Sequence, residues 1–183
     1  MPERSIRFLI DTNLFVAAVK SGKTKSTELL VRLIEGIEEL VADDILISEY
    51  ERYALKFEAL DFLRLIRNRI VIIEQSEEDI LRCKPYFPAG SAADVVHAAT
   101  CLHTVVVLIS NDAHFDGIEA DGIIEVRSIT DAIKKAPLTT LLLHELMRSS
   151  VIFLFSLRIR SSAAPWHSPA PQLWLSPPSS TLY

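Results

Sequence analysis

The stretch Arg7-Phe8-Leu9-Ile10-Asp11-Thr12-Asn13-Leu14-Phe15 decides the reading of the fold. A short apolar run ends abruptly on an acid, and apolar residues then resume at helical spacing. That is the pattern of a buried strand whose carboxyl end feeds a helix. Working outward, Glu39 to Ala42, Ile70 to Ile73, Val105 to Ser110 and Ile123 to Val126 read as four more buried strands. Between them Ser26 to Gly36 carries Leu29, Leu30, Leu33 and Ile34 at helical spacing, with Ile37 just beyond. Ile45 to Phe57, Ala59 to Arg69, Glu77 to Cys83, Ala92 to His103 and Thr130 to Ala136 also read as helices, with Ser91 and Ser128 placed as N-caps. Alternation of strand and helix over this length predicts an α/β fold, a doubly wound parallel sheet with helices on both faces.

The chain has 183 residues, 19 Lys plus Arg and 24 Asp plus Glu. An acidic balance argues against a protein that grips nucleic acid by charge alone. It leaves room for an enzyme whose phosphate affinity arrives with a divalent cation. Charge and composition shift near Pro137: residues 1–138 hold 23 of the 24 acids, and five of the nine prolines follow Ala164. The boundary is therefore set there, with a domain over residues 1–137 and an atypical tail over 138–183. Leu138 to Leu157 carries apolar runs that could form a helix, interrupted by Arg148, and the Ser- and Pro-rich segment from Ser161 reads as unstructured. No stretch approaches the roughly 20 apolar residues of a membrane span. Cys83 and Cys101, 18 positions apart and without a CxxC partner, read as reduced core thiols of a cytoplasmic protein. The opening Met1-Pro2-Glu3-Arg4-Ser5 does not read as a signal peptide.

Asp11 directly follows the first strand and Asp112 the fourth. The working edge of an open parallel sheet lies beyond the carboxyl ends of its strands. Both acids should therefore reach one edge. Asp94 near the start of the helix before the fourth strand, and Glu49 early in the helix after the second, start from the same edge. Carboxylates crowded together repel by about 4 kcal/mol per pair at ~4 Å and an effective dielectric near 20. Such a cluster persists by raising pKa values or by holding a cation. Oxygen ligands without Cys or His select Mg2+ or Mn2+, which suits phosphodiester hydrolysis.

Four segments carry a specific resemblance. Ile10-Asp11-Thr12-Asn13-Leu14-Phe15, Ile47-Ser48-Glu49-Tyr50-Glu51-Arg52-Tyr53, Ala93-Asp94-Val95-Val96-His97-Ala98-Ala99-Thr100-Cys101 and Ile109-Ser110-Asn111-Asp112-Ala113-His114-Phe115-Asp116 stand in the order of the PIN-domain family. The chain resembles that family over about residues 5–135. The resemblance implies a five-stranded sheet ordered 3-2-1-4-5 and an Mg2+- or Mn2+-dependent ribonuclease. It implies RNA as substrate and metal-site acids at Asp11, Glu49, Asp94 and Asp112, with Asp116 as a further candidate. Asn13 and Ser110 match polar residues that support such sites. Many family members are toxins of VapBC-type toxin–antitoxin pairs, which implies an antitoxin protein as partner; others process RNA precursors without one. Family members commonly pair, and Leu29 and Leu33 are the candidate apolar face for a homodimer.

His97, three residues after Asp94, should share its helix face and either order the site or touch substrate. Lys20, Lys23 and Lys25 form the densest basic patch and are candidates for contact with an RNA backbone. A rival reading is a haloacid-dehalogenase-like phosphatase with Asp11 as nucleophile, since Asp112 to Asp116 resembles its late Asp-x-x-x-Asp motif. Against it, Asn13 stands where that family places a second Asp, and Glu49 and Asp94 would have no role.

Overall fold

A computed structural model describes residues 6–22, 24–36 and 38–135. The elements run β1 (Arg7–Ile10), α1 (Thr12–Ser21), α2 (Lys25–Glu35), β2 (Glu39–Ala42), α3 (Asp44–Lys56), α4 (Leu60–Arg67) and β3 (Ile70–Ile72). They continue with α5 (Glu77–Cys83), α6 (Ala92–Thr104), β4 (Val107–Ile109), α7 (Asp116–Ala120), β5 (Glu125–Arg127) and α8 (Ile129–Lys135). Single 3-10 turns at Lys84–Tyr86 and Ala113–Phe115 join some of them. The five strands form one sheet in the order β3-β2-β1-β4-β5, and every pairing is parallel. The predicted fold class and strand order are those observed.

The centre of the sheet explains its stability. Leu9 aligns with Val41 on one side and Leu108 on the other, and all three are buried. Phe15 from α1 stacks on Tyr50 from α3 at 4.5 Å between ring centres. Each such side chain contributes on the order of 1.5–3 kcal/mol by leaving water. Tyr50 also donates its hydroxyl to the carbonyl of Ile10, the last residue of β1. That bond fixes the rotation of α3 and turns its neighbour Glu49 towards the end of β1.

Several expectations need correction. Not all strands are buried: β3 is an edge strand whose Val71 and Ile72 are exposed, because only β2 flanks it. β4 starts at Val107, since Val105 is the left-handed residue (φ 53°) that ends α6. β5 runs Glu125–Arg127, two residues later than its predicted start. Ser91 stands at the N-cap of α6 without a side-chain cap bond, whereas Ser128 Oγ accepts from Asp131 N at 3.0 Å and caps α8. Leu29 and Leu33 are buried in the chain's own core, so they cannot supply a dimer face. Their helix, α2, packs on α1 and α8. The tail over residues 138–183, Lys23 and Ile37 lie outside the described residues.

Candidate functional site

Asp11 is delivered by β1. Its amide donates to the Ile109 carbonyl at 3.1 Å, which extends the β1–β4 ladder to the acid itself. The residue is 7 % exposed. Ser110 Oγ and Asn13 Nδ2 (3.1 Å) both donate to Oδ2. Oδ1 receives no side-chain hydrogen bond among the described residues. Burial pushes the Asp11 pKa up, and the charge of Asp112 adds to this; the Ser110 hydroxyl, the backbone amide of Asn13 and the charge of His97 oppose it.

Ser110 ties the next acid to the first. While its hydroxyl donates to Asp11, its oxygen accepts the amide of Asp112 at 2.9 Å. Asp112 and Asp94 then flank a histidine that sequence reasoning passed over. His114 Nδ1 lies 3.4 Å from Asp94 Oδ2 and 3.6 Å from Asp112 Oδ1. The two acids come from different elements, α6 and the loop after β4, and meet across this ring.

Glu49 closes the arc from the other side. Thr12, the residue after Asp11, donates its hydroxyl to Glu49 Oε2. His97 Nε2 lies 3.8 Å from the same oxygen, too far for a hydrogen bond but close enough for strong attraction of charges. The Glu49 carboxyl sits below its usual range chiefly through His97, against burial and with help from Thr12. Burial opposes protonation of His97, but Asp43 and Glu49 outweigh it and raise the ring to about 9.

The contacts thus link Glu49, Asp11, Asp112 and Asp94 in one chain at the carboxyl edge, and His97 stands beside Glu49. Asp116 begins α7 and is exposed, and no contact among the described residues ties it to the other acids. Lys20 and Lys25 are exposed, Lys20 in the last turn of α1. At 1.5 Å per helical residue Lys20 is on the order of 13 Å from Asp11, so it cannot share a single phosphate with the acids. Sequence reasoning also missed Asp43, which is 1 % exposed and bonded to His97 Nδ1 at 2.8 Å. The signal was present: Asp43 abuts β2 as Asp11 abuts β1.

The donor set suits a hard cation, being carboxylate oxygen, with both side-chain donors to Asp11 gathered on one of its oxygens. Among the described residues no group of three or more Asp, Glu, His or Cys side chains is already assembled to hold an ion. Side-chain movement would be needed to close such a group. Cys83 and Cys101 are free and buried. Among the described residues no helix is long and apolar enough to cross a membrane.

A family model described as the PIN domain matches residues 8–120. No curated protein sequence matches the chain. Among solved structures, VapBC2 from Rickettsia felis bound to a DNA fragment from its promoter is similar at TM-score 0.53 and 15 % identity. That match covers 67 % of this chain and 98 % of the other. VapBC-1 from nontypeable Haemophilus influenzae is similar at TM-score 0.50 and 17 % identity, covering 68 % and 99 %. At such identities the likeness concerns the fold.

Proposed function

The chain belongs to the PIN-domain family, and on that premise we propose that it hydrolyses RNA phosphodiester bonds with Mg2+ or Mn2+ as cofactor. The observation that carries this reading is the linked arc of Glu49, Asp11, Asp112 and Asp94 at the carboxyl edge of the sheet. These four acids are the residues that would hold the cation. A hard divalent cation supplies charge neutralisation at the phosphate and raises the acidity of water. The chain's own residues do the rest. Ser110 and Asn13 fix Oδ2 of Asp11, so its other oxygen keeps a defined direction. Thr12 fixes one oxygen of Glu49. Lys20 and Lys25 would meet the RNA backbone away from the scissile phosphate.

The solved neighbours are toxin–antitoxin complexes, and we extend that to this chain as a proposed antitoxin partner. A short DNA-binding protein encoded beside it would support this; its absence would favour an RNA-processing role. The phosphatase reading has less support, because Asn13 donates to Asp11 and cannot serve as an acid.

Asp94→Asn keeps size and removes one ligand charge. We expect it to abolish Mn2+-dependent cleavage of a mixed single-stranded RNA, by 100-fold or more, on the order of 3 kcal/mol in barrier. The melting midpoint without metal should hold or rise as repulsion between acids is relieved. Mn2+ should raise the wild-type midpoint more than the variant's. Undiminished cleavage by the variant, or a wild type that ignores RNA yet hydrolyses a phosphomonoester, sinks the nuclease reading.

A further inference from the structure

Three buried groups take no part in the proposed chemistry and yet lie against it: Asp43, His97 and Thr100. Asp43 divides its oxygens between two tasks. Oδ1 accepts the amide of Leu46 at 2.8 Å and caps α3, the helix that carries Glu49. Oδ2 meets His97 Nδ1 at 2.8 Å and the Thr100 hydroxyl at 3.2 Å. Gln75, from the connection between β3 and α5, donates to Thr100 Oγ1 at 2.8 Å and braces it from behind. With Nδ1 held on Asp43, the plane of the imidazole is set, and Nε2 faces Glu49 Oε2.

The cap on α3 needs only Oδ1 of Asp43 and does not explain why Oδ2 is paired with a buried histidine. A buried Asp–His pair loses its hydration, and apolar residues of the same volume commonly serve a core equally well or better. What the pair does, beyond filling space, is fix the surroundings of one oxygen of Glu49. The Thr12 hydroxyl reaches that same oxygen from α1. Oε1 is left without a hydrogen bond among the described residues.

Resting on the reading of Glu49 as one of the site acids, we propose that Asp43 and His97 are positioning residues for it. Asp43 orients the His97 ring, and the ring together with Thr12 holds Glu49 by Oε2, so that Oε1 is presented to the cation. Partners of this kind, one layer behind a ligand, typically change metal affinity by 10- to 100-fold when removed.

The test uses the full chain and Mn2+ alone as probe, with affinity read from the electron paramagnetic resonance of free Mn2+. His97→Gln places an amide nitrogen near the position of Nε2, whereas His97→Asn replaces only Nδ1. We expect His97→Asn to weaken Mn2+ binding roughly ten-fold, and His97→Gln, which keeps a donor near Glu49 but neither the charge nor the hold of Asp43, to weaken it by less. The two should melt alike in EDTA. Asp43→Asn, which keeps the cap on Leu46, should weaken binding in the same direction. Combined with His97→Asn it should add nothing, because the two act through one contact. Equal affinities for His97→Asn and wild type would overturn the positioning role. So would equal losses in both His97 variants that merely track a loss of melting temperature. Glu49→Gln separates this from the site itself. Lost affinity there with none in His97→Asn removes the positioning role alone. No loss in Glu49→Gln removes Glu49 from the site, and this inference with it.

Discussion

A single buried ring shows how local chemistry is tuned here. His97 is 2 % exposed, and an isolated imidazole so placed would lose its proton. Asp43 and Glu49 reverse the outcome and hold the folded-state value near 9, above the ordinary 6.5. The folded state therefore binds the proton more tightly than the unfolded chain does. Its contribution to stability is full below about 6.5 and is lost as pH rises through about 9. In EDTA, the wild-type melting midpoint should fall between pH 6.5 and 9.5 more steeply than that of His97→Gln, whose amide does not titrate. Parallel profiles for the two proteins would show that the ring is not held protonated. Asp11 has the same sense over a lower range of pH. Burial raises its pKa, so stability falls as pH rises from the ordinary 3.8 through the raised value, the charge forming in the fold without a cation beside it.

At the level of elements, helix ends explain the largest departure from the sequence reading. The run from Val105 is apolar and β-branched, so it reads as strand from its first residue. In the fold, α6 must first be closed. Val105 does this with φ 53°, 79 % exposed, a backbone conformation that suits Gly and is strained for a β-branched residue. The chain enters β4 only at Val107, where it can pair with Phe8. Val105→Gly should therefore stabilise the protein by about 1 kcal/mol, from release of left-handed strain less the added freedom of the unfolded chain. A melting midpoint raised by a few degrees is the expected reading. A lowered midpoint would mean that the valine side chain, despite its exposure, makes packing contacts that outweigh the strain.

For the whole molecule, the described residues enclose a complete parallel sheet, helices on both faces, and all four candidate acids. The last element, α8, packs against α2 and caps itself through Ser128. We therefore propose that a chain ending at Lys135 folds alone, keeps its cooperative melt and binds Mn2+ as the full chain does. The shift in charge and proline content beyond Pro137 points the same way. Insolubility of that shortened chain, or a broad melt, would show that residues 138–157 cover apolar surface of the domain. The exposed apolar pair Val71 and Ile72 on edge strand β3 would then be the first place to look.

The sequence by itself determined the parallel α/β class, the approximate strands and helices, and the acids at strand ends, because hydrophobic periodicity and strand-end position are local properties. The strand order was legible through the resemblance of four motifs. Edge and centre were not legible from periodicity: β3 and β1 look alike as apolar runs, and only pairing decides which is covered. Nor was the partnership of side chains from distant elements. Asp43 abuts a strand as Asp11 does, yet its bond to His97 joins residues 54 apart, and His114 meets Asp94 only because α6 and the loop after β4 converge. Leu29 and Leu33 show the same limit, since periodicity gives the apolar face of a helix but not what covers it. The tertiary structure decided these points because burial and hydrogen bonding depend on what lies opposite a residue, and that is set by packing in three dimensions.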